Sequence, residues 1–112
     1  MKVAAARTTA ADIPTLRGQS DALRDALGSG VGVLGAEIDG KAVIVAAVTE
    51  DLADSGRLAA GDIARETAAR MGGRGGGKAR LAQAGGGDPS RLDEALASVP
   101  ETVERLLGGR GA

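Results

Sequence analysis

The pattern of apolar and polar positions predicts a short strand and a helix in the first quarter of the chain. Lys2–Arg7 is a run of Val and Ala between basic residues, which favours a strand. Asp12 suits a helix N-cap, Pro14 suits the first turn, and Gly28 is typical of a helix end. The apolar residues between them recur at near-helical spacing and predict one buried stripe: Ile13, Leu16, Leu23 and Leu27.

A β-hairpin is the clearest local prediction in the sequence. The runs Val31–Ile38 and Lys41–Val48 are rich in β-branched residues, and Asp39-Gly40 lies between them. Asp-Gly favours a two-residue hairpin turn, because both positions of that turn have positive φ. The two runs are almost continuously apolar, so we expect central strands that are covered on both faces.

The second half of the chain predicts two further helices around a glycine-rich segment. Glu50–Gly56 is polar and turn-like, and the next helix ends at Gly72-Gly73 with its apolar face formed by Leu58, Ile63, Thr67 and Met71. Arg80–Ala84 is one more strand or an extended turn. Asp88-Pro89 begins the third helix, in which Pro100 is expected to cause a kink or a break. Its core-facing residues are Leu92, Leu96, Val99, Val103 and Leu106.

Together these elements predict a single small α/β domain over residues 1–112, with a disordered tail at 108–112. We expect a mixed sheet of about four to five strands, with a central antiparallel hairpin and three packed helices. A chain of 112 residues suits one hydrophobic core.

Composition narrows the chemistry that this chain can perform. It contains no His, Cys or aromatic residue, so it lacks the commonest metal ligand, general base and thiolate nucleophile. We therefore expect no catalytic residue, metal or cofactor, and we assign the carboxylates of Glu50, Asp51 and Asp54 to a polar turn. No apolar run is long enough to span a bilayer or to form the core of a signal peptide, which predicts a cytoplasmic protein with no membrane partner.

Positive charge is concentrated in one part of a chain whose formal net charge is −1. Residues 57–80 carry two acidic residues and six basic ones, namely Arg57, Arg65, Arg70, Arg74, Lys78 and Arg80. Such a patch suits a polyanionic partner. Arg65 and Arg70 lie in the predicted second helix and are more simply interpreted as solvated helix residues.

The glycine-rich segment Gly72–Gly87, GGRGGGKARLAQAGGG, is the candidate binding element. Glycine permits positive φ and close backbone approach, so successive N–H groups can form a concave nest for phosphate oxygens, with the start of the third helix nearby. On composition alone a flexible linker is an equal alternative. The candidate binding residues are Arg74, Gly75, Gly76, Gly77, Lys78, Arg80, Gln83, Gly85 and Gly86. For Gln83, a buried structural hydrogen bond and ligand contact remain equal alternatives.

Two stretches resemble a known family. Gly61–Leu96, GDIARETAARMGGRGGGKARLAQAGGGDPSRLDEAL, is similar to the DHH-associated domain at the C-terminal end of alanyl-tRNA synthetases, and Val31–Leu52 resembles the central hairpin of that family. The resemblance implies a noncatalytic domain that contacts the outer corner of tRNA, expected to be tRNA-Ala, and assists aminoacylation and editing by neighbouring synthetase domains. In related phosphoesterases the corresponding glycine segment holds the phosphate or terminal nucleotide of the substrate.

The sequence departs from the family pattern at two places. Ala79 and Arg80 stand where Pro-Asp is usual, and Thr102 stands where many members have an aromatic residue that would serve as a base-stacking or packing anchor. The synthetase's catalytic and editing domains are not in this sequence, so the chain is an excised domain, a fragment or a free-standing homologue. Two other functions remain open, the substrate-binding half of a DHH-type phosphoesterase and a structural module that forms a homodimer.

Overall fold

A computed structural model describes residues 2–111 and the burial of residues 2–108. Five strands form one mixed sheet in the order β1-β2-β3-β5-β4, in which β1 is parallel to β2 and the other neighbours are antiparallel. The strands are β1 Lys2–Arg7, β2 Gly30–Ile38, β3 Lys41–Val48, β4 Arg74–Gly77 and β5 Leu81–Gly87. The helices are α1 Ile13–Leu27, α2 Glu50–Asp54, α3 Ala60–Arg70, α4 Leu92–Ala97 and α5 Val99–Gly111, with a 3₁₀ turn at Pro89–Arg91. The predicted fold class is confirmed.

Helix α1 begins and ends where the sequence predicts. The Asp12 carboxylate accepts the N–H of Thr15 at 2.8 Å, and this hydrogen bond lowers the pKa of Asp12. Gly28 ends the helix with φ 72°. Leu16 is fully buried beneath α1, so the helix lies firmly on the sheet.

The predicted central hairpin is confirmed as β2 and β3. Asp39 and Gly40 both have positive φ, 52° and 77°, and Ile38 pairs with Lys41 directly before the turn. Apart from Glu37 and Lys41, all residues of the two strands are buried. The hairpin is therefore covered on both faces, as its apolar content predicts.

Two helical layers enclose this hairpin, and two glycines of β2 show how closely they pack. A methyl group on Gly32 would lie 2.8 Å from Leu23 Cδ2 of α1. On Gly35 it would lie 2.7 Å from Leu92 Cδ1 of α4. Helix α1 thus packs on one face of the sheet, while α3, α4 and α5 contribute to the core on the other.

The segment after β3 differs from its prediction. Glu50–Gly56 was expected to be a turn, but Glu50–Asp54 forms helix α2. The carbonyl of Thr49 accepts the N–H groups of Leu52 and Ala53, and Ala53 is buried. Five residues are too few to show a helical period in the sequence, so the polar composition concealed this helix.

The third predicted helix is broken, as Pro100 led us to expect. It consists of a 3₁₀ turn, α4 and α5, with α4 ending at Ala97, three residues before the proline. The core residues predicted for it are buried or partly buried against the main core. The expected tail at 108–112 extends beyond the described residues and stays a prediction.

Candidate nucleic-acid interface

The glycine-rich segment forms a β-hairpin, in which β5 confirms the strand considered for Arg80–Ala84 and β4 is an additional strand. Strand β4 at the sheet edge pairs with β5, with Arg74 opposite Gly85 and Gly76 opposite Gln83. The N–H of Lys78 donates to the carbonyl of Leu81 at 3.1 Å and closes the turn. A segment that is paired along a sheet in this way is also not a flexible linker.

Amide groups next to this hairpin are bonded within the domain. The N–H groups of Ala60 and Gly61, at the start of α3, donate to the carbonyls of Ala79 and Lys78 at 2.8 and 3.0 Å. The carboxylate of Asp88 accepts the N–H of Ser90 at 3.0 Å, which satisfies a donor at the start of the third helical region. These three amides are therefore not available to a concave nest, and a nest formed by the amides of Gly72–Gly87 stays a prediction.

Several glycines are needed for close backbone packing. A methyl group on Gly75 would lie 2.5 Å from Ala84 Cα, and one on Gly77 would lie 2.8 Å from Ala82 Cα. A methyl group on Gly61 of α3 would lie 2.5 Å from the carbonyl oxygen of Gly77. Helix α3 and the hairpin therefore approach each other backbone to backbone, which only glycine allows.

The remaining predicted glycines leave open space beside them. The nearest atom to a methyl group on Gly76 would be the carbonyl oxygen of Gly61, 3.9 Å away. Gly85 and Gly86 lie at an irregularity in the β3–β5 pairing, and Gly86 has φ 74° with nothing within 4 Å of an added methyl group. No side chain projects from these three positions, so an external molecule can approach the backbone of the hairpin.

Two predicted cations flank β4 without a protein partner. Arg74 begins the strand and Lys78 follows its last residue, and both are exposed. Neither side chain makes an ion pair or hydrogen bond with any residue of the described part of the chain. Their charges are therefore available to an anionic partner, at the two ends of a strand about 13 Å long at 3.3 Å per residue.

Arg80 is the predicted cation that the structure separates from this pair. Its Nη2 atom lies 3.0 Å from an Asp54 carboxylate oxygen and 3.2 Å from Glu50 Oε1. The hydrogen bond to Asp54 is the main cause that raises the pKa of Arg80. Both partners belong to α2, the helix that the sequence did not reveal, so this neutralisation could not be predicted. Arg80 lines a different cleft, of about 370 Å³, together with Arg24, Asp25 and Glu50.

A second cleft, of about 430 Å³, lies between the hairpin and α1. Its lining residues are Arg17, Gly76, Gly77, Lys78, Leu81, Ala82 and Gln83. The half-buried side chain of Gln83 forms no hydrogen bond to another described residue, so the structural role considered for it is not found. Arg17 was missed because its contribution depends on how α1 packs beside β5, for which the sequence offers no local signal.

Thr102 shows what an aromatic residue in its place would do. Its side chain is fully buried, as is that of Thr67 on α3, and neither hydroxyl has a hydrogen-bond partner among the described residues. A buried position cannot present a ring to a nucleic-acid base. In this chain the position therefore serves packing rather than base stacking.

The carboxylates after β3 serve the fold. Asp51 accepts hydrogen bonds from Ser29 Oγ and Thr49 Oγ1, both at 2.6 Å, and these bonds lower the pKa of Asp51. Across residues 2–108, no group of three or more His, Cys, Asp or Glu side chains is placed to hold a metal ion. In the same described part of the chain, every helix is too short or too polar to cross a bilayer.

Comparisons with known proteins agree with this geometry. The profile of the DHHA1 domain family matches residues 1–105. The alanine–tRNA ligase of Anaeromyxobacter dehalogenans is 53% identical over 106 residues, which cover 95% of this chain and 11% of the ligase. That of Pelotomaculum thermopropionicum is 50% identical over 96% of this chain and 12% of the ligase. The chain thus spans about a tenth of the length of these relatives.

A solved structure matches the fold as well. The C-Ala domain of Aquifex aeolicus alanyl-tRNA synthetase superposes with a TM-score of 0.78 at 27% sequence identity. The match covers 89% of this chain and 89% of that domain. The similarity therefore extends over most of the fold.

Proposed function

The chain belongs to the DHHA1 domain family, and from that premise we propose that it is a noncatalytic domain that binds the sugar–phosphate backbone of tRNA. The observation that carries the proposal is the pair of exposed cations Arg74 and Lys78 at the two ends of the glycine strand β4, neither of which has a side-chain partner among the described residues. Relatives at about half identity are alanine–tRNA ligases, which supports tRNA as the polyanion.

Side-chain cations, rather than a nest of amides, supply the attraction in this proposal. The N–H groups of Ala60 and Gly61 beside the hairpin are occupied by the domain's own carbonyls, whereas Arg74 and Lys78 have no side-chain partner among the described residues and can pair with phosphates. The absence of side chains at Gly76 and Gly86 allows an RNA backbone to come close to the sheet edge. With no aromatic residue for stacking, the domain reads shape and phosphate position rather than base sequence.

Within a synthetase, we propose that this domain contacts the outer corner of tRNA-Ala and assists both aminoacylation and editing. The catalytic and editing domains would then be its neighbours, and they would perform the chemistry. A small set of phosphate contacts gives a dissociation constant of roughly 10⁻⁴–10⁻⁶ M for the isolated domain. The tRNA-binding role of the isolated chain is therefore best measured at low salt.

Charge reversal at the two cations tests this proposal. We expect Lys78→Glu and Arg74→Glu each to weaken binding to a tRNA-Ala transcript by about tenfold and to lower the salt slope by about one. Lys2→Glu is the matched control, since Lys2 is exposed and lies in β1, at the opposite edge of the sheet. Circular dichroism verifies that each variant folds.

The outcomes separate the other two candidate functions. Unchanged affinity in both hairpin variants would remove the glycine hairpin from the binding surface. A tight dimer in sedimentation with no tRNA binding would select the structural module. Turnover of a phosphodiester by the isolated chain with manganese would favour the phosphoesterase function.

A further inference from the structure

The cleft between α1 and the glycine hairpin has one cationic side chain on each side. Lys78 stands on the hairpin side, and Arg17 reaches the cleft from α1. We infer that Arg17 is a further RNA-binding residue and that this cleft takes one nucleotide unit of the bound strand. This inference rests on the proposed function and extends its surface from the hairpin to α1.

The charge of Arg17 is not used by the fold. The acidic residue one helical turn later, Asp21, is held by Arg24 at 3.5 Å. Arg17 itself is exposed and makes no ion pair or hydrogen bond with any described residue. An exposed arginine without a carboxylate partner is well suited to a phosphate, which its planar guanidinium can bind through two N–H groups.

The position of Arg17 is nevertheless fixed. The preceding residue, Leu16, is fully buried, and the first turn of α1 is capped by Asp12. Farther along the helix, Leu23 packs against the bare backbone of Gly32. The helix therefore holds the base of the Arg17 side chain at one place beside the cleft, which lowers the entropy lost on binding.

The lining of the cleft suits a nucleotide. It includes no acidic residue, whereas the other cleft contains Asp25 and Glu50 beside its arginines. Leu81 offers partly exposed apolar surface for a ribose or base face, and the Gln83 amide offers both a donor and an acceptor. A volume of about 430 Å³ lies within the usual range of small-ligand sites, about 300–1,000 Å³.

Neutral substitutions test the role of Arg17 against that of Lys78. We expect Arg17→Gln to weaken binding to the tRNA-Ala transcript by about three- to tenfold and to lower the salt slope by about one, as Lys78→Gln does. Arg17→Lys should retain the slope, because the charge remains. Lys2→Gln should leave both quantities unchanged.

A near-isosteric change tests the cleft itself. We expect Gln83→Glu to weaken binding by at least as much as Arg17→Gln, because it places a carboxylate where a nucleotide would sit. Arg80→Gln, in the other cleft, should have little effect on affinity. Urea unfolding of each variant separates a loss of binding from a loss of folding.

The failures of the two proposals are distinguishable. If Lys78→Gln weakens binding while Arg17→Gln and Gln83→Glu do not, the cleft is not part of the interface and the inference about Arg17 is overturned. If Lys78→Gln, Arg17→Gln, Gln83→Glu and Arg74→Glu all bind as wild type, the proposed function fails together with the inference about Arg17. A loss in Gln83→Glu without one in Arg17→Gln would retain the cleft and reject Arg17.

Discussion

The two hairpins of the sheet are built in opposite ways. The β2–β3 hairpin is rich in Val and Ile and is covered on both faces, with Leu23 and Leu92 from the helices packed against Gly32 and Gly35. The β4–β5 hairpin lies at the edge, carries glycine at most positions of β4, and meets the backbone of α3 directly. One hairpin is held by side chains, whereas the other depends on their absence.

This contrast explains why a glycine-rich segment does not have to be a loop. Gly75 and Gly77 lie against the backbone of β5, and Gly61 of α3 lies against the carbonyl of Gly77. These three glycines are therefore costly to replace. Gly76, Gly85 and Gly86 make no such close backbone contact, and no side chain projects from them near Lys78 and Gln83. The same segment therefore contains both a structural set of glycines and a set that keeps the proposed RNA surface open.

The largest expected effect is on stability, and it distinguishes the structural glycines from those that keep the surface open. Gly75→Ala would place a methyl group 2.5 Å from Ala84 Cα, a backbone atom that cannot move aside easily. We expect it to lower the free energy of unfolding by about 3 kcal/mol. Gly76→Ala meets nothing closer than 3.9 Å and should change stability by less than about 0.5 kcal/mol. Urea unfolding followed by circular dichroism measures both variants.

Equal losses in the two variants would break the comparison, since the hairpin would then be sensitive at every glycine. A small loss in both would mean that β4 and β5 can move apart to admit a side chain at Gly75. Gly40→Ala is a useful reference, because that position has φ 77° in the turn of the other hairpin but open space around it. It reports the cost of positive φ alone.

The two hairpins should also differ, by a smaller amount, in how their contribution to stability depends on pH. Thr49 accepts the N–H of Gly30, at the start of β2, at 3.0 Å, and Asp51 accepts the Thr49 hydroxyl hydrogen bond at 2.6 Å. The hydrogen bond from Ser29 is the main cause that lowers the pKa of Asp51 below its ordinary value of 3.8. The hydrogen bonds to the ionised Asp51 carboxylate therefore stabilise the fold above pH 3.8, and this stabilisation is lost as the pH falls through the lowered pKa.

The Asp51→Asn variant isolates that contribution. We expect it to be less stable than wild type at neutral pH, and we expect the difference to shrink as the pH falls below about 3.8. Urea midpoints from pH 7 to pH 2.5 measure it. Residues 72–87 contain no carboxylate, so Gly76→Ala should retain the acid dependence of wild type. A constant difference between Asp51→Asn and wild type at all pH values would contradict this account.

Local signals predicted the parts of the fold that local chemistry determines. Asp12, Gly28 and the Asp39-Gly40 turn occupy the positions that their side chains and φ angles favour, and the sequence fixes them without tertiary information. Strand β4 could not be predicted, because three consecutive glycines have no alternation of apolar and polar side chains to show a strand period.

Local charge and spacing indicated part of the candidate site, whereas the contributions that depend on tertiary packing were not predicted. Arg74, Lys78 and Gln83 lie beside the open hairpin surface, as the charge and spacing suggested. The pairing of Arg80 with Asp54 joins residues 26 positions apart, and Arg17 reaches the cleft only through the packing of α1. Both depend on tertiary structure, which no motif in the sequence encodes.

Amide chemical shifts measured during titration with a tRNA-Ala transcript test the central claim most directly. We predict that the largest changes occur at Gly76, Lys78 and Gln83, with smaller changes at Arg17 on α1. The buried β2–β3 hairpin should change little. Changes that instead concentrate at the Asp39-Gly40 turn or along β1, with none in the β4–β5 hairpin, would contradict the assignment of the glycine hairpin as the RNA-binding surface.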